Sequence, residues 1–85
     1  MELLNVGFDN AVIKSRIVSI ISISSTPVKR MTDEARKAGM LIDATRGKKI
    51  KSVVITDSNH YVLSALGTET LISRCANKER GADKK

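Results

Sequence analysis

The stretch that decides the fold is Ile50-Lys51-Ser52-Val53-Val54-Ile55-Thr56, then Asp57-Ser58-Asn59-His60, then Tyr61-Val62-Leu63-Ser64-Ala65-Leu66. The first run is dense in β-branched residues, which suit a pleated, half-buried surface. Four residues with turn chemistry interrupt it, and apolar character then resumes. This pattern predicts a β-hairpin over Val53 to Leu66.

Working outward, Arg46-Gly47-Lys48-Lys49 is a tight basic turn leading into the hairpin, and Met40 to Thr45 reads as the strand before it. Ser24-Ser25-Thr26-Pro27 punctuates the chain further upstream. Thr26 is a good helix N-cap, Pro27 suits the first helical position, and Gly39 suits a left-handed stop. Between them Val28, Met31, Ala35 and Ala38 share one helical face. Leu3 to Phe8 reads as a first strand. Ala11 to Ile13 with Arg16 to Ile23 reads as a long strand or strand pair, with a bend at Lys14-Ser15. Both faces of Ile17 to Ile23 are largely apolar, so both should be covered. After the hairpin, Thr68 caps a short helix to about Asn77 with Leu71, Ile72 and Cys75 as its apolar stripe. The expected order is β-β-α-β-β-β-α, an α+β fold with a small, mainly antiparallel sheet and two helices. Residues 1–77 are expected to form one domain and residues 78–85 a charged, disordered tail.

At 85 residues a monomer buries only roughly 60–65% of its unfolded surface, which is marginal. One cysteine, Cys75, and one histidine, His60, supply neither an internal disulfide nor a four-ligand zinc site. Oligomerisation is the remaining stabilising route. The unpaired cysteine, the absence of a basic-then-apolar leader and the absence of a long apolar run predict a soluble cytoplasmic protein without a membrane partner.

The net charge is +6 and it is concentrated: Lys29 to Lys51 holds eight basic residues and three acidic ones, a net +5. Such a cluster is either the footprint of a polyanion partner or a solvated basic surface. Arg46, Lys48, Lys49 and Lys51 place four cations within six residues. Cations borne on a turn reach phosphates without burying themselves; alternatively the turn is a lysine-decorated hairpin tip that resists edge aggregation. Arg16, a lone cation entering an apolar strand, marks entry to a basic groove, an edge charge or half of an ion pair. Gly47-Lys48 lacks the upstream glycine and the following Ser or Thr of a phosphate-binding loop. Asp43 and Asp57 form no acid/base pair, and Cys75 on an apolar stripe reads as a buried hydrophobe. No catalytic site, cofactor, metal or small-molecule substrate is expected. With Phe8 and Tyr61 the only aromatics, base stacking on single strands is disfavoured relative to phosphate contacts on duplex DNA.

Several blocks together resemble the RemA family of extracellular matrix regulatory proteins. They are Leu4-Asn5-Val6-Gly7-Phe8, Pro27-Val28-Lys29-Arg30-Met31, Gly39-Met40-Leu41-Ile42-Asp43-Ala44-Thr45, and Val53 to His60 with Asp57-Ser58. The resemblance covers about Leu3 to Leu71 with the spacing between blocks kept. It implies a bacterial DNA-binding transcriptional regulator, linked to biofilm-matrix genes, that forms a ring-shaped homo-oligomer and bends or wraps DNA. The positions matching the family's DNA-contacting pattern are Arg16 and the pair Lys48-Lys49, which stands where the family pattern has two arginines. Lysine keeps the phosphate contact and loses the bidentate fork, so backbone-dominated, salt-sensitive binding is expected. The resulting expectation is a nucleoid-associated regulator contacting double-stranded DNA through Arg16, Arg46, Lys48, Lys49 and Lys51. The rival readings are an oligomeric protein-interaction scaffold with a basic face and an RNA-binding module.

Overall fold

The computed structural model describes residues 2–24 and 26–76; the expected tail at 78–85, the expected helix end at Asn77 and the capping side chain of Thr26 lie outside what is described. The elements are β1 (Leu3–Gly7), β2 (Asn10–Ile13), a 3-10 turn (Lys14–Arg16), β3 (Ile17–Ser22), α1 (Thr26–Lys37), β4 (Leu41–Asp43), β5 (Ser52–Thr56), β6 (Tyr61–Ser64) and α2 (Thr68–Ala76). The fold is α+β, as expected, but its strands form two sheets rather than one. β1 and β2 make an antiparallel ribbon, and the other four strands make a sheet in the order β3-β5-β6-β4. The 3-10 turn accounts for the split. It ends the ribbon at Ile13 and restarts extended backbone at Ile17, in a different sheet.

The expected hairpin is β5 and β6, paired antiparallel with Val53 opposite Leu63 and Val54 opposite Val62. β3 adds antiparallel to β5. β4 adds parallel to β6 at the far edge, because α1 carries the chain across the sheet between β3 and β4. Helix α1 closes with the hydrogen-bond pattern of a Schellman motif. Gly39 has φ +76, its N–H donates to the Arg36 carbonyl at 3.2 Å, and the Met40 N–H donates to Ala35 at 2.8 Å.

The alternation of side chains along β5 and β6 divides the core. Val54 and Val62 point to one face, where Leu4, Val6, Ala44 and Leu71 complete a buried cluster. Val53 and Leu63 point to the other, against Val28 of α1. One face is therefore covered by the ribbon and α2, the other by α1. The buried hydroxyls are satisfied: Ser64 Oγ donates to the Val6 carbonyl and Ser52 Oγ to Leu66, both at 2.7 Å.

Three local expectations are corrected. The buried face of α1 is Val28, Thr32 and Ala35, while Ala38 is exposed. Thr32 can sit there because its hydroxyl donates to the Lys29 carbonyl at 3.0 Å. Val18 is not covered: the ladder shifts register between Ile17 and Ser19, leaving it bulged outward on an edge strand and 64% exposed. Ile72, expected in the stripe of α2, is 53% exposed, and Leu71 alone is fully buried on that helix. No described helix is long and apolar enough to cross a membrane.

Candidate nucleic-acid interface

The basic loop between β4 and β5 is built from its N-terminal side. The Asp43 carboxylate accepts the Thr45 hydroxyl at 2.6 Å and the Thr45 N–H at 2.9 Å. These two bonds fix the point where the chain leaves the sheet. The Lys48 N–H then donates to the Thr45 carbonyl at 3.0 Å, with Arg46 at φ +53 and Gly47 at φ +84. Positive φ at both central positions is the signature of a type I′ turn. Glycine adopts it freely, whereas arginine is strained there by about 1 kcal/mol. The Arg46 guanidinium lies over the Phe8 ring, 5.8 Å from its centroid, an attraction of comparable size. Phe8 is itself at φ +53, in the tight turn between β1 and β2. Two strained turns thus meet tip to tip and tie the ribbon to the basic loop. Lys48, Lys49 and Lys51 are exposed, and their side chains make no ion pair or hydrogen bond among the described residues.

The Thr45 hydroxyl, and after it the Thr45 N–H, hold the Asp43 carboxyl below its ordinary value of 3.8, with Arg36 contributing more weakly. A depressed carboxyl pKa stabilises the fold above the unfolded value and loses that contribution as pH falls through the folded one. Thr45→Val should therefore raise the Asp43 pKa toward 3.8 and remove the hydroxyl's share of the stabilisation that acid otherwise titrates away below about pH 4. A carbon-detected NMR titration of the Asp43 carboxyl checks this. An unchanged pKa in the variant would show that the Thr45 hydroxyl is not what holds it.

Arg16 lies elsewhere. Its Nε donates to Asp57 Oδ1 at 2.7 Å, and the Asp57 N–H donates to the Arg16 carbonyl at 2.8 Å. Of the three readings open for Arg16, half of an ion pair is the one observed, at a site where both side chains stay about half exposed. Asp57 opens the three-residue loop of the β5–β6 hairpin. In that loop the Asn59 N–H donates to Thr56 and Asn59 takes φ +67, the arrangement of a type I turn followed by a left-handed residue. Ser58 Oγ and His60 Nδ1, 2.7 Å apart, brace it.

The five expected contact residues are consequently not one cluster. Lys51 precedes β5 and Asp57 follows it, so Arg16 and the four-cation loop sit at opposite ends of that strand, about 20 Å apart at 3.3 Å per residue. The ribbon spans the interval, with Phe8 against Arg46 at one end and the 3-10 turn at the other. Between ribbon and sheet runs a groove of about 350 Å³ floored by Val6, Val12, Ala44 and Val62, with Ile13 and Ile42 in its walls and Arg16 and His60 lining it.

Four structurally important residues escaped the sequence reading. Asp43 and Asp57 form no acid/base pair, yet one anchors the basic loop and the other holds Arg16. Phe8, expected as the end of the first strand, lies instead in the turn after β1, which stops at Gly7. Lys14 opens the 3-10 turn at the expected bend, and in addition its Nζ donates to the Arg74 and Cys75 carbonyls at 3.1 and 3.3 Å, near the end of α2, where a cation also suits the helix dipole.

Residues 3–75 match the family model of the RemA-like proteins, described as extracellular matrix regulatory protein A-like. A protein of Thermodesulfovibrio yellowstonii is 52% identical over 81 residues, covering 95% of each chain. One of Desulfosudis oleivorans is 53% identical over 75 residues, covering 88% of this chain and 77% of its own. One of Clostridium botulinum is 48% identical over 83 residues, covering 98% and 93%. All three carry the words "regulatory protein" in their names.

Proposed function

This chain belongs to the RemA-like family, and from that premise we propose that it is a DNA-binding transcriptional regulator working as a ring-shaped homo-oligomer. The contacts are Arg16, Arg46, Lys48, Lys49 and Lys51, acting mainly on backbone phosphates of duplex DNA. The observation that carries the reading is the loop at 46–51: a rigid turn raises exposed cations whose lysines have no partner among the described residues. Exposed, unpaired lysines on a turn can reach phosphates without first breaking a contact of the fold.

Self-association is supported by a second observation. Leu3, Phe8, Ile13, Val18, Ile42 and Ile72 are all more than a third exposed, apolar surface that packing against further copies would cover. In a ring, each copy would repeat both cationic ends of its sheet, multiplying a weak phosphate contact into usable avidity. Sequence preference would then come mainly from how easily the DNA bends. By family resemblance the regulated genes include those of the biofilm matrix, in the bacterial cytoplasm.

The test is a fluorescence-anisotropy titration of a promoter duplex across several salt concentrations, with particle mass read by light scattering. Phosphate neutralisation lowers log K linearly with log salt, by about 0.9 per contact. A steep slope from a discrete oligomer is expected. Binding that is weak and indifferent to salt and DNA length would instead favour a protein-interaction scaffold, and preference for single strands an RNA-binding module.

A further inference from the structure

Arg16 is held by one residue through two bonds, and the pairing leaves part of its guanidinium unused. Asp57 takes the Nε proton at 2.7 Å and donates its own N–H to the Arg16 carbonyl at 2.8 Å. Side chain and backbone are thus fixed by the same partner. Neither Nη atom has a partner among the described residues, and the side chain is 54% exposed. An arginine whose Nε edge is engaged still presents the two-nitrogen end of its fork, which matches the oxygens of a phosphate. Asp57 is itself well placed, because the hairpin loop it opens is braced by the Asn59, Ser58 and His60 contacts.

We infer that Asp57 is a positioning residue for DNA binding: it orients the Arg16 guanidinium so that its Nη1 and Nη2 groups face a backbone phosphate. This rests on the proposed DNA contact at Arg16 and adds the residue that makes the contact effective. The alternative role for an acid beside a DNA-facing arginine is attenuation, in which its charge offsets the cation and repels phosphate. The two roles predict opposite signs. Positioning requires an oxygen acceptor at residue 57; attenuation requires only the charge.

The experiment compares duplex-DNA affinity for the full chain and for Arg16→Ala, Asp57→Ala, Asp57→Asn and the Arg16→Ala/Asp57→Ala double variant. Each is checked for an unchanged oligomeric mass and thermal melt. Asp57→Ala is expected to bind about tenfold more weakly, the low end of what one arginine contact is worth. Asp57→Asn keeps the Oδ1 acceptor and should bind at least as tightly as the unaltered protein. In the Arg16→Ala background, Asp57→Ala should have no further effect. Asp57→Ala binding as tightly as the unaltered protein, or more tightly, overturns the inference while leaving the DNA reading intact. Should Asp57→Ala not fold, Asp57→Asn decides: binding as weak as that of Arg16→Ala overturns positioning through the acceptor. An unaltered protein that binds no duplex, or an Arg16→Ala variant that binds normally, overturns the contact itself and the inference with it.

Discussion

Reversing the charge of Lys48 and Lys49 together, to Glu, is expected to weaken duplex-DNA binding at least about hundredfold near physiological salt. Both side chains are exposed and neither has a partner among the described residues, so the folded protein loses no contact. Its stability should move by no more than about 0.5 kcal/mol, the usual range for such surface sites. The loss on the DNA side has two parts. Two phosphate contacts disappear, and two anions now face a polyanion. If several subunits grip one duplex, the deficit is repeated at each of them. The salt dependence should flatten as well, because each lost contact removes about 0.9 from the slope of log K against log salt. Lys48→Arg/Lys49→Arg should retain or strengthen binding, since the guanidinium adds a fork to the same charge. Anisotropy titrations and circular-dichroism melts on the same preparations separate affinity from folding. Unchanged affinity for the double Glu variant, with an intact melt, would remove the 46–51 loop from the interface.

What was legible in the sequence was local. The hairpin at Val53 to Leu66 announced itself through β-branched runs around a polar turn. The stop of α1 at Gly39 was legible because a left-handed residue closing a helix needs no distant partner. The basic turn was legible because the positive φ at Gly47 and the adjacent lysines are consecutive. Most of what escaped depends on distant residues; Asp43 is the local exception. The Arg16–Asp57 pair joins positions far apart in the chain, so neither residue's neighbours point to the other. The outward bulge at Val18 follows from a ladder register that its apolar neighbours conceal. Asp43 looked isolated because its partner, Thr45, is two residues away and holds it for loop geometry rather than for acid/base chemistry. The separation of Arg16 from the lysine loop was invisible for the same reason: only the placement of the 3-10 turn against the far end of β5 sends them to opposite ends of the sheet.

Replacing Leu71 by Ala should cost about 3 kcal/mol of folding stability, within the usual span for a fully buried leucine. Leu71 has no exposed surface and joins Leu4, Val6, Ala44, Val54 and Val62 in one cluster. It is the only described residue of α2 that is fully buried, so truncation removes that helix's main anchor on the sheet face it covers. Lys14, bonded to the Arg74 and Cys75 carbonyls, and Arg74, bonded to the Asn5 carbonyl at 3.1 Å, also hold the helix. Exposed polar contacts such as the Arg74 bond contribute about 1 kcal/mol each and cannot replace the lost packing. In a chain this small, 1 kcal/mol shifts the melting temperature by roughly 4–8 °C, so a drop of about 12–24 °C is expected for Leu71→Ala by circular dichroism. Ile72→Ala, one position along the same helix but half exposed, is the control. Within one chain its loss should change stability by about 0.5 kcal/mol or less. If subunits pack on that face, however, the same substitution acts on assembly, and the deficit becomes dependent on protein concentration. A Leu71→Ala melt within a few degrees of the unaltered protein would mean that the ribbon, rather than α2, closes that side of the core.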